Sequence, residues 1–310
     1  MAGHHGHSCH HHHAGEISAG RLRLSLALTL GFVLLETIVA VRAHSLALLS
    51  DAGHNFTDAF ALALSGYAVW IARKPASSTK TYGYHRVGIL TALFNATLLL
   101  VIAALIFREA IGLFVHPPQH IESLWMIGVA TVALLLNGGI ALGLRGEAAH
   151  DVNIRSAFLH MVGDALSAAG VVVAGAVIHY TGWVYADPLV SILIGLFIVA
   201  SSWGILIDTV NILLEGTPRG LDVEAMAEAI RSMPGVADVH DLHVWAIAEG
   251  MNALSCHLQI QDAEAPHAAA ILQTIKERLA AEYGVYHSTI ETECRGCDVN
   301  ELYCRTLSNR

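Results

Sequence analysis

The sequence predicts a membrane all-α domain, a bundle of six transmembrane helices, followed by a small α+β domain. Three observations carry this. Six long apolar segments run between residues 22 and 214, each exceeding the ~20 residues needed to cross a hydrocarbon core. Only 14% of the 310 residues are charged and the mean hydropathy is +0.53, too apolar for an ordinary soluble chain. The charge is also split: residues 1–214 carry 10 Lys/Arg against 11 Asp/Glu, whereas residues 215–310 carry 7 against 15. The expected organisation is a histidine-rich tail over 1–20, a transmembrane domain over 21–214 and an acidic cytosolic domain over 215–310. A surface this acidic excludes nucleic acid as a partner.

The tail holds His4, His5, His7, Cys9 and His10 to His13. It is histidine-rich rather than basic and then apolar, so it is not a cleavable leader. Interruption by Gly, Ser and Cys favours a disordered, low-affinity metal-collecting tail over an appended tag. The apolar segments lie near 22–43, 46–72, 87–114, 122–144, 156–180 and 187–214, with short connections that predict a compact bundle. Arg21, Arg23, Arg73, Lys74, Lys80, Arg86, Arg145, Arg155 and Arg219 fall on one side of such a bundle, and only Arg42 and Arg108 near the other. The positive-inside rule then puts both termini in the cytoplasm.

Spans two and five each carry a histidine four residues before an aspartate: His54 with Asp58, and His160 with Asp164. Positions i and i+4 share one helix face, one turn apart. Two such helices facing each other bring two imidazoles and two carboxylates to one point, a tetrahedral nitrogen and oxygen set that suits zinc. Two aspartates balance a divalent cation, which lowers the penalty of holding ions at bilayer depth. The alternative is that the four side chains are hydrogen-bonding glue between helices. Two identically spaced pairs of ionisable groups, rare at this depth, favour the metal site.

Ala61 and Ser65 continue the face of His54 and Asp58, and Ala168 and Gly175 that of His160 and Asp164, so small residues permit close backbone approach there. Asp51, one turn before His54, is an accessory ligand, a proton carrier or a helix N-cap. Glu36, Asn95, Glu109, Asn137 and Asp208 read as interhelical glue or span-end residues.

After Gly216 the composition changes. Leu221 to Met233 reads as an amphipathic helix capped by Asp222 and ended by Pro234-Gly235. Val236 to Ile247 and Met251 to Gln261 read as strands turned at Glu249-Gly250. A helix over about 265–283 and a strand over about 285–293 complete an α-β-β-α-β order, a ferredoxin-like layer lacking one strand. Strand alternation sets Leu254, Cys256, Leu258 and Ile260 on an apolar face and His257 on the other, where Glu291 and Glu293 can join it. His240, His243 and His267 are each a ligand or a surface histidine. Cys294 and Cys297 have metal-ligand spacing in a CxxC pair. The five cysteines, four of them in the tail domain, read as reduced thiols rather than a disulfide framework.

The stretches Ser45-Leu-Ala-Leu-Leu-Ser-Asp-Ala-Gly-His-Asn-Phe-Thr-Asp58, Tyr82-Gly-Tyr-His-Arg86, the second HxxxD and His240-Asp-Leu-His-Val-Trp245 together resemble the cation diffusion facilitators. The likeness covers nearly the whole chain after residue 20 and is closest to the bacterial zinc or cobalt-zinc-cadmium efflux branch. It implies a homodimeric, proton-coupled exporter of divalent transition metals in the bacterial inner membrane, with six transmembrane helices and a cytosolic metal-sensing, dimerising domain. Transport ligands map onto His54, Asp58, His160 and Asp164. Members with histidine at the first position are regarded as zinc-preferring, and those with aspartate there as more tolerant of cadmium. A charge pair that helps hold the dimer maps onto Arg86 and Glu215. The cytosolic metal site maps onto His240, His257 and His267, and where relatives often have a further histidine and an acid this chain has Glu291 and Glu293.

The expected mechanism is exchange of zinc for protons by alternating access across the bilayer, with zinc also binding the cytosolic domain. Cadmium, cobalt, nickel or ferrous iron are further candidate cargoes, and an exporter preferring cobalt, cadmium or nickel is one alternative. Two rivals come from other classes. An intramembrane metalloenzyme needs a general base, as in HExxH, which these patterns lack. A membrane-anchored metal sensor would bind without flux.

Overall fold

The computed structural model describes residues 19–146, 152–261 and 266–293. Six long helices come first: α1 (Ala19–Ala43), α2 (Leu46–Ala72), α3 (Arg86–Val115), α4 (Ser123–Leu144), α5 (Val152–Thr181) and α6 (Ala186–Leu213). They are followed by α7 (Val223–Arg231), β1 (Val236–Ala248), β2 (Met251–Ile260), α8 (Ala268–Tyr283) and β3 (Val285–Glu293), the expected element order. Helices α3, α4, α5 and α6 are apolar and long enough to cross a bilayer on length and composition alone. Helix α2 is of similar length, at 27 residues, but carries Asp51, His54, Asn55 and Asp58. The histidine-rich tail and the Cys294/Cys297 pair lie outside the described residues.

The chain divides into two compact units that cut across the long helices. One contains the described residues up to Ala59 together with Ile106–Ile194, and so holds α1, the first half of α2, α4 and α5. Here α4 packs on α5, and the interface is built from small side chains: Ala130, Ala133, Ala168 and Ala174 are all at most 1% exposed. A Cβ on Gly175 would stand 2.7 Å from Ile127 Cγ1, so the close approach that glycine allows is to α4. Of the two small residues that continue the His54 face, Ala61 is half-buried and Ser65 is exposed.

How α2 starts decides where its ligands point. His44 takes φ +55°, turning the chain sharply out of α1. Ser45 then caps the helix, its Oγ accepting from the Leu48 amide at 3.1 Å. Asp187, in the first turn of α6 and fully buried, accepts from the Leu46 and Ala47 amides at 2.7 and 3.2 Å and from the Ser45 hydroxyl. The first-turn amides, which no helix can satisfy internally, are thus met from another span. The cap role considered for Asp51 therefore falls to Ser45 and Asp187, and Asp51 sits in the second turn of α2. Asp187→Ala strands these donors at roughly 1–3 kcal/mol for each left unsatisfied. Its inactivation midpoint in detergent is expected several degrees below the parent, and that of Ser45→Ala less so.

The other unit contains Phe60–Leu105 and the chain from Gly195 onward. Its α/β part is a three-stranded sheet in the order β1-β2-β3, with β1 antiparallel and β3 parallel to β2. Asp222 caps α7 by accepting from the Ala225 amide at 2.9 Å, and α7 buries Val223, Met226, Ala227 and Ile230. These pack with Leu254, Cys256, Leu258 and Ile260 of β2 and with Ile275 and Leu279 of α8, the apolar face that the alternation of β2 predicts. Gly250 at the hairpin and Gly284 at the end of α8 take φ +71° and +64°, backbone that glycine adopts without a Cβ clash. Burial pushes the Cys256 thiol up to about 12, so it is an inert core residue rather than a ligand.

Candidate metal centres

Among the described residues, two clusters of ligand-type side chains form, one in each unit. In the first, His54 and Asp58 come from α2 and His160 and Asp164 from α5, so the i,i+4 spacing does what the sequence requires of it. His54 Nε2 lies 3.3 Å from Asp164 Oδ1 and 3.6 Å from Asp58 Oδ2. His160 Nε2 lies 3.4 Å from Asp58 Oδ2 and 3.6 Å from Asp164 Oδ2. Each imidazole therefore touches both carboxylates, and each carboxylate touches both imidazoles.

Those distances have a meaning. Four ligands about 2.0–2.1 Å from a tetrahedral zinc ion stand about 3.3–3.4 Å from one another. All four histidine–aspartate edges are near that value. The ligand atoms of His54, Asp58 and Asp164 all lie within 4.8 Å of one another, a set that does not include His160. The imidazole centroids are 6.1 Å apart and nearly perpendicular. Burial differs in the same sense. The side chains of His54 and Asp164 are 5% exposed, that of Asp58 26% and that of His160 45%. The cluster thus has a closed side at His54 and a more exposed side at His160.

Asp51 is 2% exposed and outside this set of ligand atoms. On the same face one turn on, Asn55 donates to Glu36 of α1 at 3.1 Å, the interhelical bond expected of a polar residue in a span.

The second cluster rests on an irregularity in β1. His240 pairs directly with His257 of β2, but the next pair is His243 with Ser255, so one residue is inserted between them. Asp241 is at that bulge, with φ +50°. The insertion places His240 and Asp241 on one face while Val239 and Leu242 both remain in the core at 0% and 1% exposure. His240 and His257 stand ring to ring at 5.4 Å. Glu293 reaches both, at 2.8 Å from His257 Nδ1 and 3.5 Å from His240 Nε2. Asp241 and Glu291 lie 3.7 and 3.8 Å from His257 Nε2.

His240, His257 and Glu293 form a set that can hold a metal ion. His267, at the N-cap of α8, is exposed and not one of the three. His243 turns to Asp241 at 3.1 Å. It also lines a cavity of about 840 Å³ with Lys80, Tyr82, Arg86 and Trp245, which contains no residue of either cluster. Asp241 is the residue that reading the sequence missed. Its signal was the break in alternation at Val239-His-Asp-Leu242, since aspartate tolerates positive φ better than most.

The His257 imidazole titrates above its usual 6.5, chiefly because Glu293 accepts its hydrogen bond and further because Glu293, Glu291 and Asp241 are negative. A raised folded value means stability that is full below 6.5 and lost as the pH rises through the folded value. In the metal-free protein, an NMR titration of labelled histidine is expected to place His257 above 6.5 and Glu293→Gln to bring it back. Zinc must displace that proton to bind.

Arg86 and Glu215 also meet, with Nη2 and Oε1 3.1 Å apart, and they do so within one chain. With the two side chains 41% and 63% exposed, the pair contributes at most about 1 kcal/mol.

Comparison with known families decides what such a chain is. Residues 22–214 match the model of the cation efflux transmembrane domain. The chain belongs to the cation efflux family. Residues 218–294 match the cytoplasmic domain of cation efflux proteins. Similar proteins include a cadmium, cobalt and zinc/H(+)-K(+) antiporter of Bacillus velezensis, 35% identical over 286 residues, covering 91% of each chain. The metal cation efflux system protein CzcD of Cupriavidus metallidurans is 37% identical over 293 residues, covering 94% of this chain and 91% of that one. The zinc transporter ZitB of Escherichia coli is 38% identical over 292 residues and 92% of each chain. This cation efflux protein is accordingly an integral membrane transporter of metal cations and not an enzyme.

Proposed function

We propose that the protein exports zinc from the cytoplasm in exchange for protons, with His54, Asp58, His160 and Asp164 as the transport ligands. The observation that carries this is the approach of both imidazoles to both carboxylates at 3.3–3.6 Å, near the edge length of a zinc tetrahedron. Zinc on two ionised aspartates and two neutral imidazoles has no net charge, so the loaded site moves through the bilayer region without an exposed ion. Entry from the more exposed side draws His160 inward. Once the bundle opens to the far side, protons compete for imidazoles that titrate near 6.5 in model peptides and expel the metal. The similar proteins named for zinc, and the antiporter named for H(+) and K(+), support both the cargo and the exchange. Cadmium and cobalt, in the names of relatives, are further cargoes, and nickel and ferrous iron are candidates of the same ligand chemistry.

Residues 1–20 gather metal, 21–214 form the transport domain and 215–310 the cytosolic sensor through which two copies associate. Metal on His240, His257 and Glu293, with Asp241 and Glu291 beside them, neutralises an acidic face and lets paired domains close, biasing the bundle. His267, Cys294 and Cys297 supply further ligands to that region. Arg86 and Glu215 hold the membrane-proximal end of the domain near the dimer axis. The protein resides in the bacterial inner membrane with both termini in the cytoplasm. Purified protein in vesicles containing a zinc dye and a pH dye tests the whole reading. Zinc entering with protons leaving supports it, zinc entering without proton movement removes the exchange, and binding without entry makes the protein a sensor.

A further inference from the structure

Glu36 of α1 is fully buried and Asp51 of α2 is 2% exposed. The two carboxyl groups are within hydrogen-bonding reach of each other. Asn55 donates its amide to Glu36 Oε2 at 3.1 Å and so fixes the glutamate. Glu36 Oε1 and Asp51 Oδ2 are left buried with no hydrogen-bond donor among the described residues. Among the described residues, the charged and titratable groups that act on Asp51 are Glu36, His54 and Asp164.

Two carboxylates in this position repel each other and are buried away from bulk solvent. Two carboxyl groups bond to each other only through a proton. A proton shared between them removes one charge and supplies a donor to a pair that otherwise has only acceptors. Asp51 is also one turn from His54 on the same helix, so charge entering the metal cluster is felt here at short range.

We propose that Glu36 and Asp51 form a proton-holding site separate from the metal ligands, which gives up its proton when metal loads and regains it when metal leaves. This rests on the reading of the protein as a proton-coupled exporter. The four ligands then bind the cargo, and the carboxyl pair, linked through α2, carries a proton counted in the exchange. Asn55 is a positioning residue that holds Glu36 against its partner.

The test uses full-length protein in vesicles, with zinc and proton movement read together, and the isosteric variants Glu36→Gln and Asp51→Asn. Both variants are expected to bind zinc as the parent does, yet to lose the acceleration of zinc uptake by an imposed pH gradient. Unchanged acceleration and an unchanged proton-to-zinc ratio in both would overturn the proposal. So would loss of zinc binding in either, which would make the pair part of the metal site. Absence of proton movement in the unmodified protein is a different failure: the exchange itself falls, and the proposal with it. Should the variants not fold, infrared spectra of the unmodified protein serve instead. A protonated-carboxyl band that zinc removes is expected, and its absence in the metal-free protein contradicts the proposal.

Discussion

Alanine at Asp58 is expected to reduce zinc transport to the background of empty vesicles. The carboxylate is 26% exposed and is the one that touches both imidazoles through a single oxygen, Oδ2, at 3.4 and 3.6 Å. Removing it takes away a ligand and also half of the negative charge that offsets a divalent ion. The remaining set, two imidazoles and one carboxylate, leaves the loaded site with a net positive charge at bilayer depth, where an uncompensated charge costs several kcal/mol. Both effects act in the same direction, so affinity and turnover fall together. The protein itself should still fold: among the described residues Asp58 makes no hydrogen bond that anchors a backbone, in contrast to Asp187. A variant that reaches the membrane, behaves as the parent on size exclusion and moves no zinc fits the account. Flux equal to the parent's would mean that Asp58 is glue.

The second large effect is on selectivity. His54→Asp replaces the buried imidazole by a third carboxylate. Imidazole suits zinc, whereas carboxylates chelate through two oxygens and so support the higher coordination numbers of a larger ion. The zinc-to-cadmium transport ratio is expected to fall by on the order of tenfold, about 1.4 kcal/mol of discrimination. Competition between the two ions in vesicles reads the ratio directly. A ratio unmoved by the substitution would place selectivity elsewhere. The exposed His160 is the useful comparison, because a ligand on the more exposed side can yield to a larger ion without rearranging the core.

Much of this was legible before the coordinates. Long apolar runs between short polar connections give six helices to within four residues at every end, because hydrocarbon thickness and the 3.6-residue turn leave little freedom. The i,i+4 spacing of His54/Asp58 and His160/Asp164 places each pair on one face for the same reason. That α2 and α5 turn those faces towards each other could be hoped for from the sequence but is settled only by packing: Gly175 presses on α4, not α2. Asp187 lies 141 residues from the amide of Leu46 that it caps, a partnership that local pattern cannot reveal. Asp241 was missed because a bulge breaks the two-residue period on which strand reading depends. Glu36 read as interhelical glue, which its bond to Asn55 is. Only its burial beside a second carboxyl group makes it more.

The central claim is that four side chains from α2 and α5 close on one ion. A structure of the zinc-loaded protein with anomalous scattering recorded at the zinc edge tests it most directly. One peak about 2.0–2.2 Å from His54, Asp58, His160 and Asp164 together is the predicted result. Zinc found only in the cytosolic domain, or at the intramembrane cluster on fewer of these residues with water completing the shell, would contradict it.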